Sequence, residues 1–99
     1  MIFSEVQLEE LSSLLYGERA QLPKIGALYL VVDEGEVEIL YIGQTGNLWE
    51  RMKTHNRRIL DSYRIYWKPI EDKAERVQAE RESIAALQPT WNGDLWSDW

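Results

Sequence analysis

The chain has 99 residues, 44% hydrophobic and 28% charged, with a net charge of −6, which fits one ordinary globular domain with a thin core and argues against disorder. It has no cysteine and one histidine, His55, so disulfides, thiolate zinc sites, iron–sulfur clusters, cysteine nucleophiles and multi-histidine metal sites are excluded. No apolar run approaches the roughly 20 residues of a membrane span, and residues 1–10 hold three glutamates and no base, unlike a secretory signal; a cytoplasmic protein without membrane contact is expected.

Ser4 to Tyr16 reads as a helix. Ser4 and Gln7 form a capping-box pattern, Val6, Leu8, Leu11, Leu14 and Leu15 supply an apolar face, and Gly17 is a stop signal. Ala27–Val32 and Val37–Gly43 are rich in β-branched and aromatic residues around Asp33-Glu34-Gly35-Glu36, a β-hairpin pattern. A three-residue loop sets Tyr29 opposite Tyr41; a two-residue loop sets the tyrosines on opposite faces, since a one-residue slip flips every side chain. The sequence leaves both registers open.

Gln44-Thr45-Gly46 is a turn, and Asn47 with Glu50 caps a second helix reaching about Arg58. Ser62–Trp67 alternates as a third strand, ended by Pro69. Glu71–Leu87 reads as a long helix stopped by Pro89. The expected fold is a single α+β domain over 1–99 with a small, mostly antiparallel three-stranded sheet flanked by helices. Its core covers about 24–92, behind an N-terminal helix 4–16.

Charge is unevenly spread. Residues 51–68 carry Arg51, Lys53, Arg57, Arg58, Arg64 and Lys68 against Asp61 alone, between two acidic flanks. The net acidity argues against a general nucleic-acid binder, whereas this segment is where an anionic partner should dock. Trp91, Trp96 and Trp99 crowd the C-terminus. That end is expected to pack down; an exposed aromatic patch is the alternative.

Three features stand out. Glu80 falls on the stripe of Val77, Ile84 and Leu87. A carboxylate there is costly unless something pairs with it. It is a structural ion-pair partner, a sign of shifted helix phase, or a metal-binding or catalytic group. On the middle helix, Leu48, Met52, His55 and Ile59 form a stripe with Arg51 on the flank beside His55. His55 is a satisfied core residue or opens onto a cleft. Tyr29 and Tyr41 read as plain sheet packing on their own.

Taken together these residues resemble a known family. Ala27-Leu28-Tyr29, then Tyr41-Ile42-Gly43-Gln44-Thr45-Gly46-Asn47-Leu48, then Arg51 and His55, then Glu80, then Pro89-Thr90-Trp91-Asn92, are similar to the GIY-YIG nuclease domain in order and spacing. The resemblance covers roughly residues 24–92. It implies Glu80 as the sole protein ligand of Mg²⁺ (or Mn²⁺), with waters and substrate phosphate completing the shell. It implies Arg51 on the scissile phosphate. Tyr29 and Tyr41 would line the site, with Tyr29 or His55 orienting or deprotonating the attacking water. Gly43 would allow close backbone approach, and Asn92 is the family's terminal asparagine, structural or site-lining. Gln44 stands where some members have lysine, and Ala27 where the family name has its first glycine. Lys53, Arg57 and Arg58 would contact flanking phosphates.

The expected activity is metal-dependent hydrolysis of nucleic-acid phosphodiesters, with DNA the expected substrate; a protein partner or homodimer stays open. No separate nucleic-acid-binding domain is expected. One rival is a GIY-YIG-fold module without useful activity that binds nucleic acid or a protein. A second is a protein-interaction domain using the tryptophan-rich end, which requires Trp96 and Trp99 to be exposed.

Overall fold

Residues 27–32 carry no charged side chain, and all six are buried. Such a strand needs cover on both faces and a neighbour on each side. The computed structural model, which describes residues 8–35, 38–54 and 56–93, supplies both. Strands β1 (Ser12–Leu15), β2 (Ala27–Val32), β3 (Ile39–Thr45) and β4 (Arg64–Pro69) form an antiparallel sheet in the order β1-β4-β2-β3. Helix α1 (Leu48–Lys53) and helix α2 (Lys73–Leu87) complete an α+β fold, with short 3-10 turns at Leu8–Glu10, Tyr16–Gln21 and Thr90–Gly93. Tyr29, Val31, Tyr41, Ile65 and Trp67 pack with Leu48 and Met52 of α1. Leu28, Leu30, Val32, Ile42 and Tyr66 pack with Ala79 of α2. No helix among the described residues is long and apolar enough to cross a membrane.

The expected helix over 4–16 is not formed within the described residues; 4–7 lie outside them. Ser12–Leu15 instead becomes the fourth strand, with Leu14 opposite Ile65 and Leu15 opposite Arg64. An isolated helix of this length is marginal, and Ser12 and Ser13 are poor helix formers. Pairing covers the outer edge of β4, and Ser13 Oγ accepts a bond from Arg64 Nη1 at 3.0 Å.

Helix α1 starts as expected, Asn47 Oδ1 accepting from Glu50 N–H at 3.0 Å. It stops at Lys53 rather than near Arg58. The fully buried Tyr16 explains the stop. Its hydroxyl donates to Thr54 O at 3.4 Å and accepts from Asn56 N–H at 3.0 Å. It thereby satisfies main-chain groups that a further turn would have used. Asn56 Oδ1 then accepts from Arg58 N–H at 2.9 Å, a local turn that competes with helix.

Helix α2 is capped by Asp72, whose carboxylate accepts from Glu75 N–H at 2.9 Å. It ends at Gln88, in the left-handed region at φ 46°, just before Pro89. Its buried stripe is Arg76, Ala79 and Ser83, not the Val77–Ile84–Leu87 line. Small side chains let this face approach the sheet, while Ile84 and Leu87 pack half-buried at its flank. Glu80 is half-buried beside the stripe.

The edge strand β3 is braced by Asn92. Ile42 N–H donates to Asn92 Oδ1 and Asn92 Nδ2 donates to Ile42 O, both at 2.9 Å. Asn92 thus has a structural tie to β3. Asn92→Ala should lower the urea-unfolding free energy by roughly 1–3 kcal/mol, the loss of two hydrogen bonds. An unchanged midpoint would show the brace to be idle.

Candidate functional site

The hairpin register decides whether the two tyrosines meet. Near the turn, Asp33 N–H donates to Glu38 O at 3.3 Å, closing a longer loop than either expected one. That register alone would put Tyr29 and Tyr41 on opposite faces. A one-residue shift intervenes: Val32 pairs with Ile39 but Val31 with Tyr41, leaving Leu40 as the extra residue. Beyond it Tyr29 pairs with Gly43, so both tyrosines share one face. Their rings lie 6.2 Å apart at 37°.

Gly43 makes the junction possible. A Cβ there would lie 2.5 Å from Tyr29 Oη, 2.6 Å from Tyr29 Cζ and 2.9 Å from Tyr41 Cε2. The Tyr29 phenol thus lies across the strand where a side chain would stand. β3 is the outer strand of the sheet, and Ile42 N–H points off its open edge to Asn92. By the two-residue alternation of a strand, Gln44 N–H points the same way. There it favours the ionised form of the Glu80 carboxylate. Glu80 of α2 is in this way brought to the edge of a sheet whose other face carries the tyrosines.

Electrostatics draws four expected residues into one place. Burial pushes the Tyr29 phenol far above its ordinary value; Tyr41 adds to this, Arg51 opposes it and Glu80 adds again. Burial raises the Glu80 carboxyl, against the Gln44 N–H bond and then the charges of Arg51 and Arg81. Tyr29 is thus acted on by Tyr41, Arg51 and Glu80, and Glu80 by Arg51. Of the two roles expected for Tyr29, its neutral phenol suits orienting a water better than deprotonating one. His55 lies outside the described residues.

Among the described residues no three His, Cys, Asp or Glu side chains group to hold a metal. Mg²⁺ does not require such a group, since it keeps several waters and often takes one carboxylate plus phosphate oxygens. A half-buried carboxylate whose charge is disfavoured gains from a cation. The donor set at Glu80 fits Mg²⁺ or Mn²⁺ in that way.

The other expected residues are more dispersed. Gln44 Oε1 accepts from Arg76 Nε at 3.1 Å, so its side chain is engaged internally. Lys53 pairs with Glu50 at 2.9 Å and lies over Trp49. Arg57 is exposed. Arg58 stacks on Trp91, 4.6 Å from the ring centre. Trp91 packs against the core as expected, while Trp96 and Trp99 lie outside the described residues. Lys68 lines a groove of about 630 Å³ between β4 and α2, apart from this site. Arg76 had no place in the sequence reading. Its signal was a 3-and-4 spacing with Ala79 and Ser83.

No family model matches the chain, and no curated protein matches it.

Proposed function

We propose that this chain is a GIY-YIG-type, metal-dependent endonuclease that hydrolyses nucleic-acid phosphodiesters. The observation that carries the reading is the tyrosine pair packed at Gly43, with Arg51 and Glu80 both close enough to act electrostatically on the Tyr29 phenol. Glu80 would hold Mg²⁺ or Mn²⁺, which when bound polarises a phosphate and stabilises developing negative charge. Arg51 binds the scissile phosphate and offsets the charge that builds on it. Tyr29, held neutral, donates a hydrogen bond and orients. His55 is the remaining candidate for taking the proton from water. Plasmid nicking with Mg²⁺ or Mn²⁺, comparing the natural chain with Glu80→Ala, tests the reading.

The acidic balance, −6 overall, favours a second reading: a fold of this type that binds without cutting. It predicts no metal-dependent nicking at any enzyme concentration while DNA binding persists.

The raised Glu80 carboxyl gives the activity a pH signature. Metal needs the ionised form, so metal binding should fail on acidification above the ordinary carboxyl value of 4.5. Arg51 opposes the rise. Arg51→Gln should therefore move the acid limb to higher pH and slow nicking by roughly 10²–10³-fold. Mn²⁺ titration across pH reads the first effect without any turnover. A limb that stays put would separate Arg51 from Glu80.

A further inference from the structure

Helix α2 carries a buried cation that the chemistry above leaves unused. Arg76 is 7% exposed. Its Nε donates to Gln44 Oε1 at 3.1 Å, and its Nη1 donates to Ile70 O at 3.1 Å and Glu71 O at 2.8 Å. All three acceptors are neutral. Neither of the two ion pairs among the described residues includes Arg76. A charge taken out of water without a counter-charge is costly. A guanidinium, with its fixed fork of donors, is suited to phosphate oxygens.

The third nitrogen, Nη2, makes no hydrogen bond among the described residues. It faces Gly46: a Cβ there would lie 3.5 Å from it and meet no other described atom within 4 Å outside its chain neighbours. Gly46 is exposed and has no positive φ, so the bare position leaves an opening onto the guanidinium. Gln44 ties this opening to the site. Its side chain binds Arg76, while its main-chain N–H favours the charged form of Glu80. Arg76 and Glu80 stand four residues apart, roughly 6 Å along α2.

We infer that Arg76 Nη2, reached through the gap at Gly46, binds a phosphodiester adjoining the one served by Arg51 and Glu80. The inference rests on the nucleic-acid reading above. Arg76 holds the neighbouring phosphate of the same strand. It thereby sets the register in which the scissile group meets Glu80.

Arg76→Ala would strip three acceptors of their donor and is a poor probe of binding. Gly46 offers better variants, because a Cβ fits there in ordinary contact. Gly46→Asp puts a carboxylate in the opening; Gly46→Ala narrows it without charge. Ala85→Asp, on the exposed side of α2, controls for one added negative charge. Binding of a short duplex DNA is followed by fluorescence anisotropy over a salt series in EDTA, so that no cleavage occurs. Gly46→Asp should weaken binding about 10-fold and reduce the slope of log K against log salt by ~0.9, the share of one phosphate. Its melting midpoint should rise as the cation gains a partner. Gly46→Ala should weaken binding by about 3-fold with the midpoint unmoved. The inference is overturned if Gly46→Asp matches Ala85→Asp in affinity and slope. It is equally overturned if the natural chain does not bind DNA at low salt. Nicking, assayed separately with Mg²⁺, keeps the two ideas apart. A Gly46 effect without nicking removes the nuclease and leaves the phosphate site; nicking without a Gly46 effect does the reverse.

Discussion

Glu80→Ala is expected to abolish metal-dependent nicking while leaving folding stability within about 1 kcal/mol of the natural chain. The loss of rate should reach roughly 10²–10³-fold or fall below detection, the size seen when one preorganised electrostatic group is removed. Two opposing effects set the stability. The variant removes the carboxylate that Gln44 N–H favours at the sheet edge. It also removes a carboxylate whose ionised form burial disfavours. The charge partners, Arg51 and Arg81, rank behind burial and the Gln44 bond, and Arg81 is exposed. That ranking does not describe a buried ion pair, whose rupture would cost roughly 3–5 kcal/mol.

The sign of the pH dependence follows from the raised carboxyl. Well below the ordinary value of 4.5, Glu80 is protonated in both folded and unfolded chains and costs nothing extra. As pH rises past that value the unfolded chain ionises first, and the folded state loses stability until its own raised value is passed. Glu80→Ala lacks this loss. The variant should therefore gain on the natural chain as pH climbs above the ordinary carboxyl range. Thermal melts at matched pH values, run beside the nicking assay, check both halves. A large destabilisation, with residual activity still responding to Mg²⁺, would remove Glu80 from the site.

Local signals carried the start of α1 and the end of α2, because Asn47 caps through its own side chain and Pro89 stops a chain wherever it occurs; α2 begins at Lys73, two residues past the expected Glu71, where Asp72 caps it. Strand β1 left no such mark. Leu11, Leu14 and Leu15 fit a helical face equally well, and only the distant edge of β4 makes Ser12–Leu15 a strand. The hairpin shows the same limit from the other side. Its two strands were legible, but the shift at Leu40 depends on how β3 meets β2, and that shift brings Tyr29 to the face of Tyr41. Glu80 stood out as a charge near an apolar stripe. Arg76 did not, because a lone arginine on a polar helix reads as solvated until Gly26, Gly46 and Gln44 are seen to enclose it.

Gly43→Ala is expected to cost about 1–3 kcal/mol, the usual range for forcing one extra carbon into a packed core. It should slow nicking by roughly 10²-fold, as a displacement of about 1 Å can. No glycine among the described residues has positive φ, so backbone strain adds nothing and the cost is purely steric. The new Cβ would lie 2.5 Å from Tyr29 Oη and 2.6 Å from Cζ. Tyr29 is 1% exposed and pinned against Tyr41, so its ring cannot swing away as a flexible chain end would. The phenol must shift, and it leaves the point where Arg51 and Glu80 act on it. Adding Tyr29→Phe separates packing from chemistry. Without Oη one close contact disappears while that at Cζ remains, so stability should return in part. Activity should not return, since the orienting hydroxyl is gone. Denaturant midpoints and nicking rates for the two single variants and the double variant complete the cycle. Additive stabilities would mean that Gly43 and Tyr29 do not touch. Full activity in Gly43→Ala would mean that the tyrosine pair is core packing alone.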